Sequence, residues 1–297
     1  MKKFLKNILF LILILLLFNL IMIDFGKKLY FRDYDDYSLD FDTYLMADSH
    51  GNPLRKKTEK FNVYNFSASS ESYFDMKRKL NFLVQKNSID TLVISVDNHT
   101  LSPYREKLNN LDRSRIYATY NDYDSKLNYY RELIKNKIVF FQPKIGILIR
   151  EYWFQKFKSI FFTQKTKKAK GAYDSWSNLK ISRKIKEAKI RARKQFKYEL
   201  HSLSLKKTLD EIIKICQNHN ITLIGIKFPI TKTYYDMTST DNMGADIIFK
   251  EKGIKVFNFS RLFLNDDSMF ADQDHLNGKG GRVFTKILMD SLHRRKY

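Results

Sequence analysis

The first strong pattern along the chain is an apolar run from Ile8 to Ile23, interrupted only by Asn19 and preceded by Lys2, Lys3 and Lys6. At about 1.5 Å per residue the run covers roughly 24 Å, and counting from Phe4, with Lys6 reaching back to the headgroups, extends it to a hydrocarbon core of about 30 Å. It is apolar on every face, unlike a core helix of a soluble domain. The residues that follow, Asp24-Phe25-Gly26-Lys27-Lys28, offer no pair of small residues for signal cleavage. Residues 1–26 are therefore expected to form an uncleaved signal anchor, a single transmembrane helix. Lys27, Lys28 and Arg32 balance the N-terminal lysines. Orientation then follows from the bulk of the chain, which a charged segment ahead of an apolar one exports: residues 30–297 are expected outside the cytoplasm, on a single-pass cell-membrane protein.

Beyond the anchor, short apolar runs alternate with longer helical patterns, the order of a parallel sheet with crossover helices. Strands are predicted over Asp42–Ala47, Phe61–Asn65, Thr91–Val96, Ile221–Phe228 (closed by Pro229) and Lys255–Phe257, with helices over Glu71–Gln85 and Gly278–Arg294. Thr91–Val96 is apolar apart from its first residue and Ser95, as a strand buried on both faces should be. From about residue 122 to 218 this rhythm stops. The stretch is helical in pattern, with one ambiguous strand at Ile138–Phe141, and it reads as an insertion on the α/β domain that spans 27–297. Within it Ile181, Ile185, Ala188, Ala192 and Phe196 fall three and four apart on one helix face. Around that stripe, Arg183 to Lys197 carries eight Lys and Arg against Glu187 alone. Trp153 and Trp176 are candidates for sugar stacking or for core packing.

Composition narrows the class further. The chain has 297 residues, 54 Lys and Arg against 32 Asp and Glu for a net charge of +22, and is 43% hydrophobic with 24 Phe and 18 Tyr, which calls for a packed core. Its one cysteine, Cys216, excludes internal disulfides, cysteine-based zinc sites and dithiol redox chemistry. The basic surplus suits an acidic bilayer, at on the order of 1 kcal/mol per Lys or Arg near the surface, or an acidic polysaccharide. No nucleic-acid motif accompanies the charge, and nucleic acid is not expected as a partner.

Four segments stand at or just after predicted strand ends, where open parallel sheets build their sites. They are Ala47-Asp48-Ser49-His50-Gly51, Asn65 to Ser72, Val96-Asp97-Asn98-His99, and Asp272 to Asn277. Together they offer a hydroxyl on a tight turn, small residues whose backbone N–H groups could face it, a side-chain amide, and a carboxylate three residues before a histidine. Those are the parts of acyl transfer: nucleophile, oxyanion donors, and a base held by an acid. Asp274 is a second acid within reach of the same histidine. In isolation Ser49 would equally cap the helix that follows it, and Asn98 and His99 would serve as turn residues.

In order and chemistry these segments resemble the blocks of the SGNH or GDSL-type hydrolases and acyltransferases. Ala47-Asp48-Ser49 is similar to the family's Gly-Asp-Ser. Asn65 to Ser72 is similar to its Asn-x-Ser-x-Ser-Gly block with Ser70 in place of the glycine. Val96-Asp97-Asn98-His99 resembles its Gly-x-Asn-Asp with two departures, and Asp272 and His275 its Asp-x-x-His. The resemblance implies a three-layer α/β sandwich around a central parallel sheet. It implies Ser49, Asp272 and His275 as the catalytic residues, an oxyanion hole from the N–H groups of Ser49 and Ser70 with the side chain of Asn98, and no cofactor and no metal. It covers some thirty scattered residues and leaves 122–218 unexplained.

With an anchor and export, the resemblance implies an esterase or O-acyltransferase working through an acyl-serine on acyl groups, acetyl foremost, of cell-envelope polysaccharide or peptidoglycan. The membrane, and an integral-membrane acyl donor protein for the transfer reaction, are the expected partners. Hydrolysis and transfer differ only in whether water or a sugar hydroxyl attacks the acyl-enzyme. Two other readings stand. The departures at Ser70, Asp97 and His99 would suit a non-catalytic polysaccharide-binding or assembly protein. Asp48, His50, Asp97, Asn98, His99, Asp272 and His275 include ligand types used by metal-dependent phosphoesterases, although that family's second carboxylate block and closing Gly-His-x-His are missing.

Overall fold

The computed structural model describes residues 2–35, 37–138, 153, 154, 157, 176–197, 200–240 and 244–293. Two compact units are present, Met1–Tyr37 with Asp112–Lys168, and Ser38–Leu111 with Ala169–Tyr297. In the first, the helix Lys2–Leu29 contains a stretch, Lys2–Asp24, whose most apolar 18 residues have a mean hydropathy of 2.6 and which is long and apolar enough to cross a membrane. Its large apolar side chains from Phe4 to Ile21 are exposed, the state in which lipid rather than protein would cover them. The helix Lys126–Lys137 belongs to the same unit.

The second unit is an α/β sandwich. Strands β1 (Thr43–Met46), β2 (Val63–Asn65), β3 (Thr91–Ser95), β4 (Thr222–Lys227) and β5 (Val256–Asn258) form one sheet in the order β2-β1-β3-β4-β5, every neighbouring pair parallel. The five predicted strands are therefore observed, each within a residue or two of its sequence bounds. Because side chains alternate across a strand, Leu45, Val93 and Ile224, paired in register, share one face, where they pack in a cluster with Phe284 and Leu288 of the helix Gly278–His293. Tyr44, Met46, Leu92 and Ile94 alternate with them and are equally buried. The helices Tyr73–Lys86 and Leu203–Asn218 pack on each other, and the second also touches β4. Both faces of the sheet are thus covered, as an all-parallel sheet requires.

This corrects the extent of the insertion. The stretch read as one insertion, about 122–218, divides between the units, since the helices Ile181–Gln195 and Leu203–Asn218 belong with the sheet. Leu205, Leu209, Ile212, Ile213 and Cys216 make the latter an ordinary buried crossover helix. On Ile181–Gln195, Ala188 is buried and Ala192 and Phe196 pack with it against Ile230 and Tyr234, while Ile181 and Ile185 remain exposed. Trp176 is 1% exposed in the main core and so does not stack on sugars, whereas Trp153 is 53% exposed. Apart from Ile138, the ambiguous strand at Ile138–Phe141 lies outside the described residues, as does the lysine run 165–170.

Candidate active site

The order β2-β1-β3-β4-β5 reverses direction at β1 and β3, and open α/β sheets bind ligands at the carboxyl ends of strands beside such a switch. Ser49 follows β1, and Asp97, Asn98 and His99 follow β3. After Met46 the chain enters a tight turn, Ser49–Gly51, capped by Asp48, whose Oδ1 accepts the His50 N–H at 3.0 Å. The β2 loop braces this turn: Asn65 Nδ2 donates to the Gly51 carbonyl at 2.8 Å, and the Ala47 N–H donates to Ser67 Oγ at 2.9 Å. That loop is in turn held by Glu71, which accepts from the Ala68 N–H at 3.1 Å and pairs with the buried Lys79.

His275 reaches the turn from the other end of the sequence. Its Nε2 lies 2.7 Å from Ser49 Oγ, and its Nδ1 lies 2.9 and 3.0 Å from the two oxygens of Asp272. Asp272 Oδ1 also accepts the backbone N–H groups of Asp274 and His275, at 3.1 and 2.9 Å, which fixes the loop that presents the ring. The final helix wedges between the two loops at Gly280 and Gly281. A Cβ at these positions would fall 2.1 Å from the Met269 carbonyl oxygen and 2.3 Å from that of Pro53, so the approach requires glycine. The structure therefore brings Ser49, His275 and Asp272 into one chain of contacts, with a hydroxyl, an imidazole and a carboxylate in the sequence that proton transfer from a nucleophile needs.

Of the expected oxyanion donors, two keep their backbone N–H groups without an acceptor among the described residues and one is turned elsewhere. Ser70, at the position of the family's glycine, has φ +67°, the left-handed conformation that glycine adopts without cost. Among the described residues nothing accepts the backbone N–H of Ser49 or Ser70. Asn98 Nδ2 donates to the Thr238 carbonyl at 3.0 Å, leaving one of its two N–H groups for any other role.

Beneath Ser49, His275 and Asp272 lies a buried ionic network that local sequence patterns do not reveal. His50 Nδ1 bonds Asp97 Oδ2 at 2.9 Å, and its Nε2 sits 3.7 Å from Asp274. Asp97 Oδ1 accepts the Phe228 N–H at 2.7 Å, tying β3 to β4. Asp48 accepts from His99 Nε2 at 3.0 Å and faces Arg105 at 3.4 Å. Asp274 lies 3.1 Å from His275 Nδ1 and accepts from Arg191 Nε at 2.7 Å. Sequence marked Asp274 as a second acid, but Arg191 only as one charge in a basic run, and Arg105 not at all; nothing local links residues 83 positions apart.

The network sets the charges. Burial would raise the carboxyls of Asp48 and Asp274, yet both are held well below the usual carboxylate range, Asp48 by His50 and Arg105, and Asp274 by His275, His50 and Arg191. Burial would make His275 less basic, but the adjacent charge of Asp274 and the hydrogen bond to Asp272 prevail and raise it to about 9. His50 is raised well above its ordinary value because Asp48 and Asp97 outweigh its burial, whereas burial prevails at His99 and lowers it.

Two groups of donors lie close enough to share a cation: Asp48, His50 and His99, and His50, Asp274 and His275, each with ligand atoms within 4.8 Å of one another. In both, a guanidinium already occupies the charge position, Arg105 beside Asp48 and Arg191 on Asp274. Adding a dication there would set it against a fixed buried positive charge, so the cluster suits internal ion pairing better than a metal centre.

No family model and no curated protein matches the chain. Among solved structures it is similar to a GDSL-like lipase from Bacteroides thetaiotaomicron, at 9% identity over 85% of this chain and 88% of that one with a TM-score of 0.40. A proposed acylhydrolase from Bacteroides fragilis gives 8% identity over 85% and 86% with a TM-score of 0.40. A proposed lipolytic protein of the G-D-S-L family from Desulfitobacterium hafniense gives 10% over 84% and 98% with a TM-score of 0.37. At such low identity these are likenesses only. The five-stranded parallel sheet with helices on both faces is the fold that the SGNH or GDSL resemblance implies, observed directly in the strand order and pairing.

Proposed function

We propose that this protein is a serine esterase or O-acyltransferase of the SGNH type. The observation that carries the reading is the continuous contact from Ser49 Oγ through both ring nitrogens of His275 to Asp272. In the reaction, His275 Nε2 takes the proton of Ser49 as Oγ attacks the ester carbonyl. The N–H groups of Ser49 and Ser70 receive the developing oxyanion, and the same proton passes to the departing alcohol. Water or a sugar hydroxyl, deprotonated by His275, then releases the acyl group from Ser49. The apolar helix Lys2–Leu29 supports a single-pass membrane anchor, and we propose, from the charged segment that precedes the apolar run, that the α/β unit lies on the outer face. Acyl groups of cell-envelope polysaccharide or peptidoglycan, acetyl foremost, are then the proposed substrate, and an integral-membrane acyl donor the proposed partner for transfer. The experiment is turnover of p-nitrophenyl acetate by the full-length protein in detergent, beside Ser49→Ala. Acetate release lost in the variant supports the reading, and equal release by both refutes it.

A non-catalytic polysaccharide-binding role is favoured by one observation, the engagement of Asn98 with the Thr238 carbonyl. It predicts no Ser49-dependent turnover in the same assay.

A further inference from the structure

The cleft beside Ser49, about 480 Å³, is lined by His275, Asn52 and Asn277 and by two cations, Arg55 and Lys57, and no carboxylate stands in its wall among the described residues. A third cation stands at its rim: Nη1 of Arg282 is 3.9 Å from where a Cβ on the cleft residue Gly278 would lie. Arg55 and Arg282 both lie close enough to act on Lys57, which is made less basic by its burial and by these two charges. Lys57 Nζ is directed by a hydrogen bond to the Pro53 carbonyl at 2.5 Å, and Arg55 is held at φ +41°, outside the comfortable range of a residue with a Cβ.

Elsewhere in this unit cations meet acids: Lys184 with Asp267, Lys227 with Asp246, Arg191 with Asp274, Lys77 with Glu211. Among the described residues, neither Arg55, Lys57 nor Arg282 has a carboxylate partner. Like charges gathered without a counter-charge beside a nucleophile repel one another in the empty cleft, and an anion relieves that repulsion while being steered towards the site.

We propose that this cleft binds an anionic group, a carboxylate or a phosphate, carried by the substrate next to its scissile ester, with Arg55, Lys57 and Arg282 as the residues that recognise it. The substrate class is thus an acylated polyanion rather than a neutral lipid or glycan ester. This inference rests on the reading of Ser49 as the nucleophile and adds the specificity of the same site.

The test compares phenyl acetate with 4-acetoxybenzoate and 4-acetoxyphenyl phosphate, each kcat/KM divided by that ester's own hydroxide-catalysed rate, for the full-length protein in detergent at low salt and for Arg55→Gln/Arg282→Gln. At least a tenfold preference for one or both anionic esters, collapsing to within about twofold in the double variant, is expected, and which anion is preferred separates carboxylate from phosphate recognition. Alongside, inorganic phosphate should raise the thermal midpoint of the wild type and not of the double variant, a readout independent of turnover. Turnover of phenyl acetate with no anionic preference and no phosphate effect overturns the anion site while leaving the Ser49 reading intact. No turnover of any ester, with the phosphate effect present and lost in the variant, overturns the Ser49 reading and retains the anion site.

Discussion

Arg191 Nε donates to Asp274 Oδ2 at 2.7 Å, joining the helix Ile181–Gln195 to the loop that carries His275. Asp274 is fully buried, and its other oxygen lies 3.1 Å from His275 Nδ1. The basic helix therefore contributes a structural counter-charge to the site in addition to whatever its exposed lysines and arginines meet. Removing one partner of a buried pair leaves the other uncompensated, at a cost on the order of 3–5 kcal/mol. Arg191 keeps some exposure, so Arg191→Gln is expected to lose about 2–4 kcal/mol of unfolding free energy, measured by urea denaturation of detergent-solubilised protein. A loss below the measurement error would mean that the pair is not formed.

The two acids beside His275 divide their work. Asp272 meets Nδ1 along hydrogen bonds and fixes the ring, while the buried Asp274 supplies the larger electrostatic effect that raises the imidazole to about 9. Since only the neutral ring can accept the Ser49 proton, the rate of acylation should rise with pH, levelling off above a midpoint near 9. Removing the Asp274 charge makes the protonated ring less stable, so Asp274→Asn should move the midpoint down by about one unit or more. The second-order rate of fluorophosphonate labelling from pH 6 to 10 reads both. An unchanged midpoint in the variant would assign the shift to another group.

At Ser70 a residue with a Cβ occupies a left-handed backbone position, φ +67°. That conformation costs roughly 1–2 kcal/mol for an ordinary residue, partly offset in glycine by greater unfolded-state entropy. Ser70→Gly is therefore expected to stabilise the fold by about 0.5–1 kcal/mol, seen as a rise in thermal midpoint. A fall would place the loop in a different conformation.

Ser49 and His275 act as a unit in the proposed reaction. Ser49→Ala and His275→Ala should each reduce kcat by a factor on the order of 10⁴ or more, and the double variant should be no worse than either alone. Independent, multiplying losses in p-nitrophenyl ester turnover would contradict a shared proton transfer.

The fold was largely legible in the sequence because buried parallel strands read as apolar runs, and Thr91–Ser95 and Thr222–Lys227 are such runs. The positions of Ser49, Asp272 and His275 were legible because Ser49 directly follows an apolar run and Asp272 and His275 stand just ahead of the last amphipathic helix. Less visible was everything decided by distant partners. The helix Leu203–Asn218 looked like part of an insertion until its packing on Tyr73–Lys86 placed it on the sheet. Trp176 carried no mark of its burial. The direction of Asn98 depends on a carbonyl 140 residues away, and the pairing of Asp274 on an arginine that resembled its exposed neighbours. The glycines at 280 and 281 set how closely the last helix meets the segments at Met269 and Pro53, a constraint that exists only in three dimensions.

The most direct test of a serine nucleophile is peptide mapping by mass spectrometry after treatment of the full-length protein with a fluorophosphonate. One adduct is expected, on Ser49, that disappears in Ser49→Ala and is much slower to form in His275→Ala. A folded protein that takes no adduct, or takes it at another residue, would contradict a Ser49 nucleophile.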